Sequence, residues 1–350
     1  MIRPVLYVDL PGIIFSMDRR ARSRQHEFAN FVCWREPIEN RRSLPPILRS
    51  IFPLNPSSRT WICEDHWRIL GFAQVHERPF RTMWDISYLA SMVHRTDSSD
   101  DVLAGLLEYM VEMAGMHGIL RIFAKVEDEI PELDLFQRLG FQRYAREVTY
   151  VYDPLLENAR VFKEPYPRLP SLRRWNRHHV WGLHQLYRSV TPQRVQMAEM
   201  LENSEEFAKL YAGSLHPLPF ALSRGNENYV CDMGVRLGAW LRICRGQGSA
   251  PHQLSLIVHP EHAELVEPLL RFGIRRLQEI EVRRISCQVR EYESFVITAL
   301  RNSGFEQATT RVLLVRHIAL LAMNKRIVPA LEQRVVYGVK GLGTVNSHQQ

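Results

Sequence analysis

Hydrophobic and polar positions along this chain follow two spacings, every second residue and every third or fourth, and these alternate in the same order twice. In the first half "RTWICED" (59–65), "RILGFAQVHE" (68–77) and "MWDISYLASMV" (83–93) read as three strands separated by polar turns. A helical spacing over 101–117 follows, then a strand "ILRIFAKV", a short helix "PELDLFQRLG" and a strand "FQRYAREVTYVYD" ending at 153. Ahead of them "IRPVLYVDLPGIIFSM" predicts a short strand and a helix. The second half opens with "LRRWNRHHVWGLHQLY" and continues with the strands "NYVCDMG", "VRLGAWLRICR" and "HQLSLIVHP". It closes with a helix over 262–278, the strand "RRISCQV", the helix "YESFVITALRNSG" and the strand "FEQATTRVLLVRH", which ends at 317.

Landmark spacing supports two copies of one unit. Leu106-Leu107 precedes Gly140-Phe141 by 34 residues, and Leu269-Leu270 precedes Gly304-Phe305 by 35. A Leu-Gly step falls at Leu70-Gly71 and again at Leu237-Gly238. The expected organisation is a first α/β unit at 1–153, a linker at 154–170, a second unit at 171–317 and an extension at 318–350. The join lies near "EPYPRLPS", where three prolines remove backbone donors and disfavour a continuing helix.

Composition adds limits. The 350 residues, 45% hydrophobic and 24% charged, suit a soluble globular protein of two domains. No stretch reaches the ~20 apolar residues of a membrane span, and Asp9 and Asp18 argue against a secretory signal, so a cytoplasmic protein without a membrane partner is expected. The formal charge of +7 is spread over the chain; its densest run is Arg19–Arg24, and the spread favours a solvated surface over a nucleic-acid interface. Cys33, Cys63, Cys231, Cys244 and Cys287 show no metal or disulfide spacing. His178-His179 are adjacent and His259/His262 straddle a helix start with no third ligand, so no metal is expected.

The element order, with "LGFAQV" at 70–75, "LFQRLGF" at 135–141 and "VHP" at 258–260, resembles the GCN5-related N-acetyltransferase superfamily, and the resemblance runs through both halves. It implies two tandem acyl-CoA N-acyltransferase folds, each a mixed, mostly antiparallel sheet flanked by helices. It further implies acetyl-CoA or another acyl-CoA as acyl donor and an amine on a small molecule or a protein as acceptor. In that family the strand before the long helix splays from its neighbour and receives the pantetheine arm, which marks Met92 and Val93 in the first copy and Ile257 and Val258 in the second. The family's loop pattern Q/R-x-x-G-x-G/A cradles the pyrophosphate through backbone N–H groups.

Counting back from Leu106-Leu107, that pattern falls on Ser98, Ser99, Asp100, Asp101, Val102 and Leu103, with Asp101 and Leu103 at the glycine places. In the second copy Glu264 and Val266 stand there. Serine and aspartate at a helix start accept from its free N–H groups, and such carboxylates would repel a phosphate. The family's tyrosine, a general acid in many members, is matched by Phe136 and Leu300, neither of which donates a proton. Candidate bases are Asp85, Tyr88 and His252, each of which also reads as an ordinary strand residue. Two functions are therefore weighed: an acyltransferase with an unusual donor loop, and a non-catalytic pair of such folds serving as a binding or regulatory scaffold.

Overall fold

The computed structural model describes residues 1–13, 30–34, 58–66, 68–78, 82–93, 97–155, 169, 171–201, 226–246 and 250–318. The Arg19–Arg24 run, most of the proposed linker and nearly all of the extension lie outside the described residues. Thirteen strands form one sheet. In chain order the elements are β1 (Ile2–Pro4), β2 (Asn30–Trp34), β3 (Ser58–Asp65), β4 (Arg68–Glu77), β5 (Met83–Ser91), α1 (Asp97–Met116), β6 (Arg121–Glu127), α2 (Glu132–Arg138) and β7 (Gln142–Tyr152). The second half contributes β8 (Leu172–Arg174), α3 (Val180–Val190), α4 (Gln193–Glu199), β9 (Asn226–Asp232), β10 (Leu237–Cys244), β11 (His252–Val258), α5 (Val266–Gln278), β12 (Ile285–Arg290), α6 (Ser294–Asn302) and β13 (Glu306–His317).

Across the sheet the order is β1-β3-β4-β5-β2-β6-β13-β7-β12-β11-β10-β9-β8. The halves mirror one another about a central antiparallel pair, β13 against β7. That pair is exchanged: β13, last in the chain, lies against β6 of the first half, and β7 lies against β12 of the second. The cores follow the exchange. Val312 and Leu314 of β13 pack with Trp84, Leu103, Leu106, Leu107 and Phe136, whereas Tyr150 and Tyr152 of β7 pack with Leu254, Leu269, Leu270, Ile274 and Leu300. The Leu-Leu pairs seen in the sequence are thus the core faces of α1 and α5.

The repeated glycines have physical causes. Gly140 and Gly304 take φ +77° and +84°, left-handed values that a side chain resists. Each follows a short helix, and the next residue closes it: Phe141 N–H donates to the Phe136 carbonyl at 2.9 Å, and Phe305 N–H to the Leu300 carbonyl at 3.1 Å. Gly71 allows α1 to lie close on β4, since a Cβ there would meet Val102 Cγ1 and the Ala90 carbonyl oxygen at 2.7 Å each.

Two helix starts differ from the expected ones. α1 begins at Asp97 rather than 101, so Ser98–Leu103 form its first turns, a start that suits acidic residues near the positive end of the helix dipole. The second long helix is split: Pro260–Leu265 is a 3-10 turn in which His262 departs from helical geometry (φ −121°, ψ 33°), and α5 proper begins at Val266. Among the described residues no helix is long and apolar enough to cross a membrane.

Candidate functional site

Each half contains one place where the sheet opens. β5 and β6 pair in parallel over three positions, Met83 with Arg121 to Asp85 with Phe123, and then diverge. β11 and β12 do the same from His252 with Ile285 to Leu254 with Cys287. Divergence strips ladder partners from one side of each strand, and backbone N–H and C=O groups left so need another partner.

In the first half the chain supplies it. β2 runs antiparallel to β5 from Asn30 opposite Ser91 to Trp34 opposite Tyr88, and Cys33 also reaches Val126 of β6. The opening between β5 and β6 is therefore filled by a strand of the same molecule. In the second half Ser255–Val258 pair with β10 on one side only, and no described strand enters on the other.

The predicted donor-site residues divide accordingly. Met92 and Val93 lie just past β5, and their N–H groups donate to the Leu70 carbonyl (2.6 Å) and to Ser91 Oγ (3.3 Å). Ser99 and Leu103 are buried, Leu103 completely, and Asp101 is exposed; the side chain of Ser98, a proposed cap, lies outside the described residues. Leu103 is thus core of the first half and presents no loop backbone to a ligand. Ile257 and Val258 stand on the open edge of β11, their side chains turned into cores on opposite faces. Glu264 is an exposed residue of the 3-10 turn, and Val266 is buried at the start of α5.

The 3-10 turn satisfies several of its own donors. Glu261 N–H donates to His259 Nδ1 at 3.3 Å and His262 N–H to the His259 carbonyl at 2.8 Å, while Glu261 pairs with Arg236. A diphosphate would have to displace these bonds and face the carboxylates of Glu261 and Glu264, so the segment does not fit that group.

Most other candidates are structurally committed. Phe136 and Leu300 are fully buried, Phe136 edge-on to Phe141 at 5.1 Å. Asp85 holds Arg78 at 2.7 and 2.9 Å, and Tyr88 is core. His252 is buried, with Nδ1 accepting from Gly246 N–H at 2.9 Å and Nε2 at 3.1 Å from the Glu281 carbonyl; burial holds its pKa below the usual histidine range. His179 closes a capping box with Asn176, which explains the His178-His179 pair as a helix start. Burial raises the thiols of Cys63, Cys231, Cys244 and Cys287, which removes nucleophilic character. Among the described residues no group of three or more His, Cys, Asp or Glu is placed to hold a metal.

The structure brings together a polar group that sequence reasoning missed, at the C-terminal end of β12, past the last residue paired with β11. Arg290 Nη2 donates to Glu199 Oε1 at 3.1 Å, and its Nε lies 3.7 Å from Glu147 Oε2. Glu199, 4% exposed, also accepts from the Tyr187 hydroxyl at 2.7 Å and the Tyr144 hydroxyl at 3.5 Å. Lys125 Nζ donates to Glu147 at 2.9 Å. Burial pushes the Glu147 carboxyl up, but the nearby charges of Lys125 and Arg290 prevail and hold it below the usual range.

Beside this group the backbone N–H of Arg290 donates to Glu293 Oε2 at 2.9 Å, which fixes the Glu293 carboxyl just past the end of β12. Glu293 is half-buried. Loss of solvent pushes its pKa up to about 7, against the opposing pull of the Arg290 N–H and guanidinium. The only sequence trace was a glutamate ahead of a short helix, which reads as an ordinary helix start.

Two units, each a long helix packed on a sheet whose parallel pair diverges, define a tandem N-acyltransferase fold. It is the GCN5-related N-acetyltransferase fold, as comparison with solved structures shows. A tandem GNAT protein from the clavulanic acid biosynthesis pathway aligns over 91% of this chain and 98% of its own, with TM-score 0.54 and 16% identity. A GCN5-related N-acetyltransferase from Sphaerobacter thermophilus aligns over 91% and 95%, with TM-score 0.53 and 11% identity. A putative acetyltransferase from Pyrococcus horikoshii aligns over 91% and 90%, with TM-score 0.51 and 10% identity. No family model matches the sequence, and neither does any curated protein. At these identities the likeness fixes the fold and leaves the chemistry to the site.

Proposed function

We propose that the chain is an acyltransferase working from its second half, in which an acyl group passes from an acyl-CoA thioester to an amine held beside Glu293. The observation that carries this reading is the side of Ser255–Val258 that no described strand pairs. An extended arm bearing amide groups has the chemistry to pair with such a strand edge. The amine nitrogen bonds to the acyl carbon of acyl-CoA as the carbon–sulfur bond breaks, CoA leaves as a thiolate that takes its proton from solvent, and the chain supplies alignment and an acceptor for the amine's proton. An amine attacks only as the free base, and a carboxyl that titrates near 7 is matched to removing that proton at neutral pH. The Arg290 N–H holds it in one orientation.

The misfit of Pro260–Leu265 to a diphosphate supports a second reading, a non-catalytic scaffold whose open edge takes another extended ligand. Under either reading the first half is closed by β2, so one site per chain is expected. Isothermal titration with acetyl-CoA and with free CoA, at low and moderate salt, tests both. Binding at one site per chain, with Glu293→Gln retaining affinity and losing transfer in an amine screen, supports the acyltransferase. Two equivalent sites overturn the assignment to the second half. No heat at millimolar CoA leaves the scaffold.

A further inference from the structure

A cavity of about 530 Å³ lies where α4 crosses the exchanged strands, on the far side of Tyr144 from the Arg290 group. Its floor follows from strand alternation. Arg121 at the start of β6, Gln142 and Tyr144 at the start of β7, and Val315 and His317 at the end of β13 share one face of the sheet, because residues two apart do. Arg143 stands at the rim, and α4 covers the other side with Gln193, Arg194, Met197 and Ala198. The cavity exists only because a helix of the second half sits on strands of the first.

Its chemistry is one-sided. Three guanidinium groups and an imidazole line it, and among the described residues no carboxylate does. Two of the guanidinium groups are partly engaged: Arg143 pairs with Asp128 at 3.8 Å, an acid that Arg146 holds more closely, and Arg194 Nη2 donates to the Arg143 carbonyl; Glu199 lies behind Tyr144, whose hydroxyl points to it. Arg121 Nε donates to His317 Nδ1 at 3.2 Å, which sets two of the lining groups in one plane of contact. Burial and the Arg121 charge hold His317 below the usual histidine range. The Tyr144 ring, Val315, Ala198 and Met197 give the cavity an apolar wall. A volume of this size matches a small-molecule site.

We propose that this cavity binds a small oxyanion, a phosphate ester or a carboxylate, carried on an apolar or planar body. Guanidinium groups take either oxyanion through paired N–H donors, and the wall takes the body. The site is independent of acyl transfer and of acyl-CoA.

Titration of the full chain with phenyl phosphate, benzoate and inorganic phosphate, at constant ionic strength, tests it and distinguishes the two oxyanions. The expected result is one site per chain for phenyl phosphate or benzoate, at least about tenfold tighter than for inorganic phosphate. Arg194→Gln and Arg143→Gln, both at solvent-exposed positions, are each expected to weaken it about tenfold or more. Saturating CoA is expected to leave it unchanged. Affinity that survives both substitutions, that CoA abolishes, or that is equal for inorganic phosphate and phenyl phosphate overturns the proposal, as does absence of heat at millimolar phenyl phosphate and benzoate. Many weak sites that vanish with salt also overturn it, in favour of nonspecific charge attraction.

Discussion

The two openings of the sheet begin alike and end differently. Each is set by three parallel residue pairs followed by divergence, yet one receives a strand of the chain itself and the other, among the described residues, receives none along Ser255–Val258. The same fold thus finishes its two openings differently, and the difference comes from a five-residue strand that lies far from either parallel pair in sequence. A strand edge is satisfied by whatever offers an extended backbone; among the described residues the chain offers it once.

The largest expected effect tests whether the halves are separate at all. Phe136→Ala is expected to cost about 3–5 kcal/mol and Leu300→Ala about 2–5 kcal/mol, as for other fully buried side chains. Because β7 and β13 are exchanged, either loss is expected to move one shared unfolding transition in urea. Two separated transitions would show that the halves unfold independently.

Next in size is the filled opening. Phe31→Pro with Cys33→Pro removes two N–H donors from β2 at roughly 1 kcal/mol each. Amide hydrogen exchange at Tyr88–Ser91 is then expected to quicken more than about tenfold, while exchange at Ser255–Val258 stays as it was. Equal change in both regions would break the distinction drawn between them.

A smaller effect is expected from pH. The Glu293 pKa stands near 7 against an ordinary 4.5, so the folded state holds this proton more tightly than the unfolded state does. Stability from this group is therefore full below about pH 4.5 and falls as pH rises towards 7. Glu293→Gln is expected to remove that fall and to melt higher than the parent at about pH 8, even as it loses the proposed base. Parallel melting curves across this range would argue against a buried, proton-retaining carboxyl.

The smallest concerns the glycines shared by the halves. Gly304→Ala is expected to cost about 1 kcal/mol through its left-handed φ alone. Gly140→Ala should cost somewhat more, since its Cβ would also displace the Arg316 guanidinium. Paired urea titrations would show the order.

Much of this fold is legible in the sequence because it is written in local periodicity. The strands β3 to β5, the Leu-Leu faces of α1 and α5 and the Gly-Phe helix ends all follow from residues a few places apart. Three features were not legible, each for a physical reason. The early start of α1 turned on whether Ser98 to Asp101 were cap or first turn, which acidic residues suit equally. The exchange of β7 and β13 leaves no trace, because the alternation along a strand marks its buried face and not the strand beside it. The Glu293 carboxyl gains its character from solvent excluded by neighbours distant in sequence, and Glu147 and Glu199 join Arg290 from elements 91 or more residues upstream of it. The divergence of the parallel strands was an expectation carried by resemblance, whereas the filling of one opening by β2 was not anticipated.

The exchange of the final strands has a practical consequence for anyone who would divide this protein. A fragment ending near residue 153 keeps β7 without β12 or β13, and leaves β6 without its antiparallel neighbour. Such a piece carries a ready-made template for a second copy of itself, so cutting the gene at the apparent boundary is expected to yield dimers or aggregates in place of a tidy half.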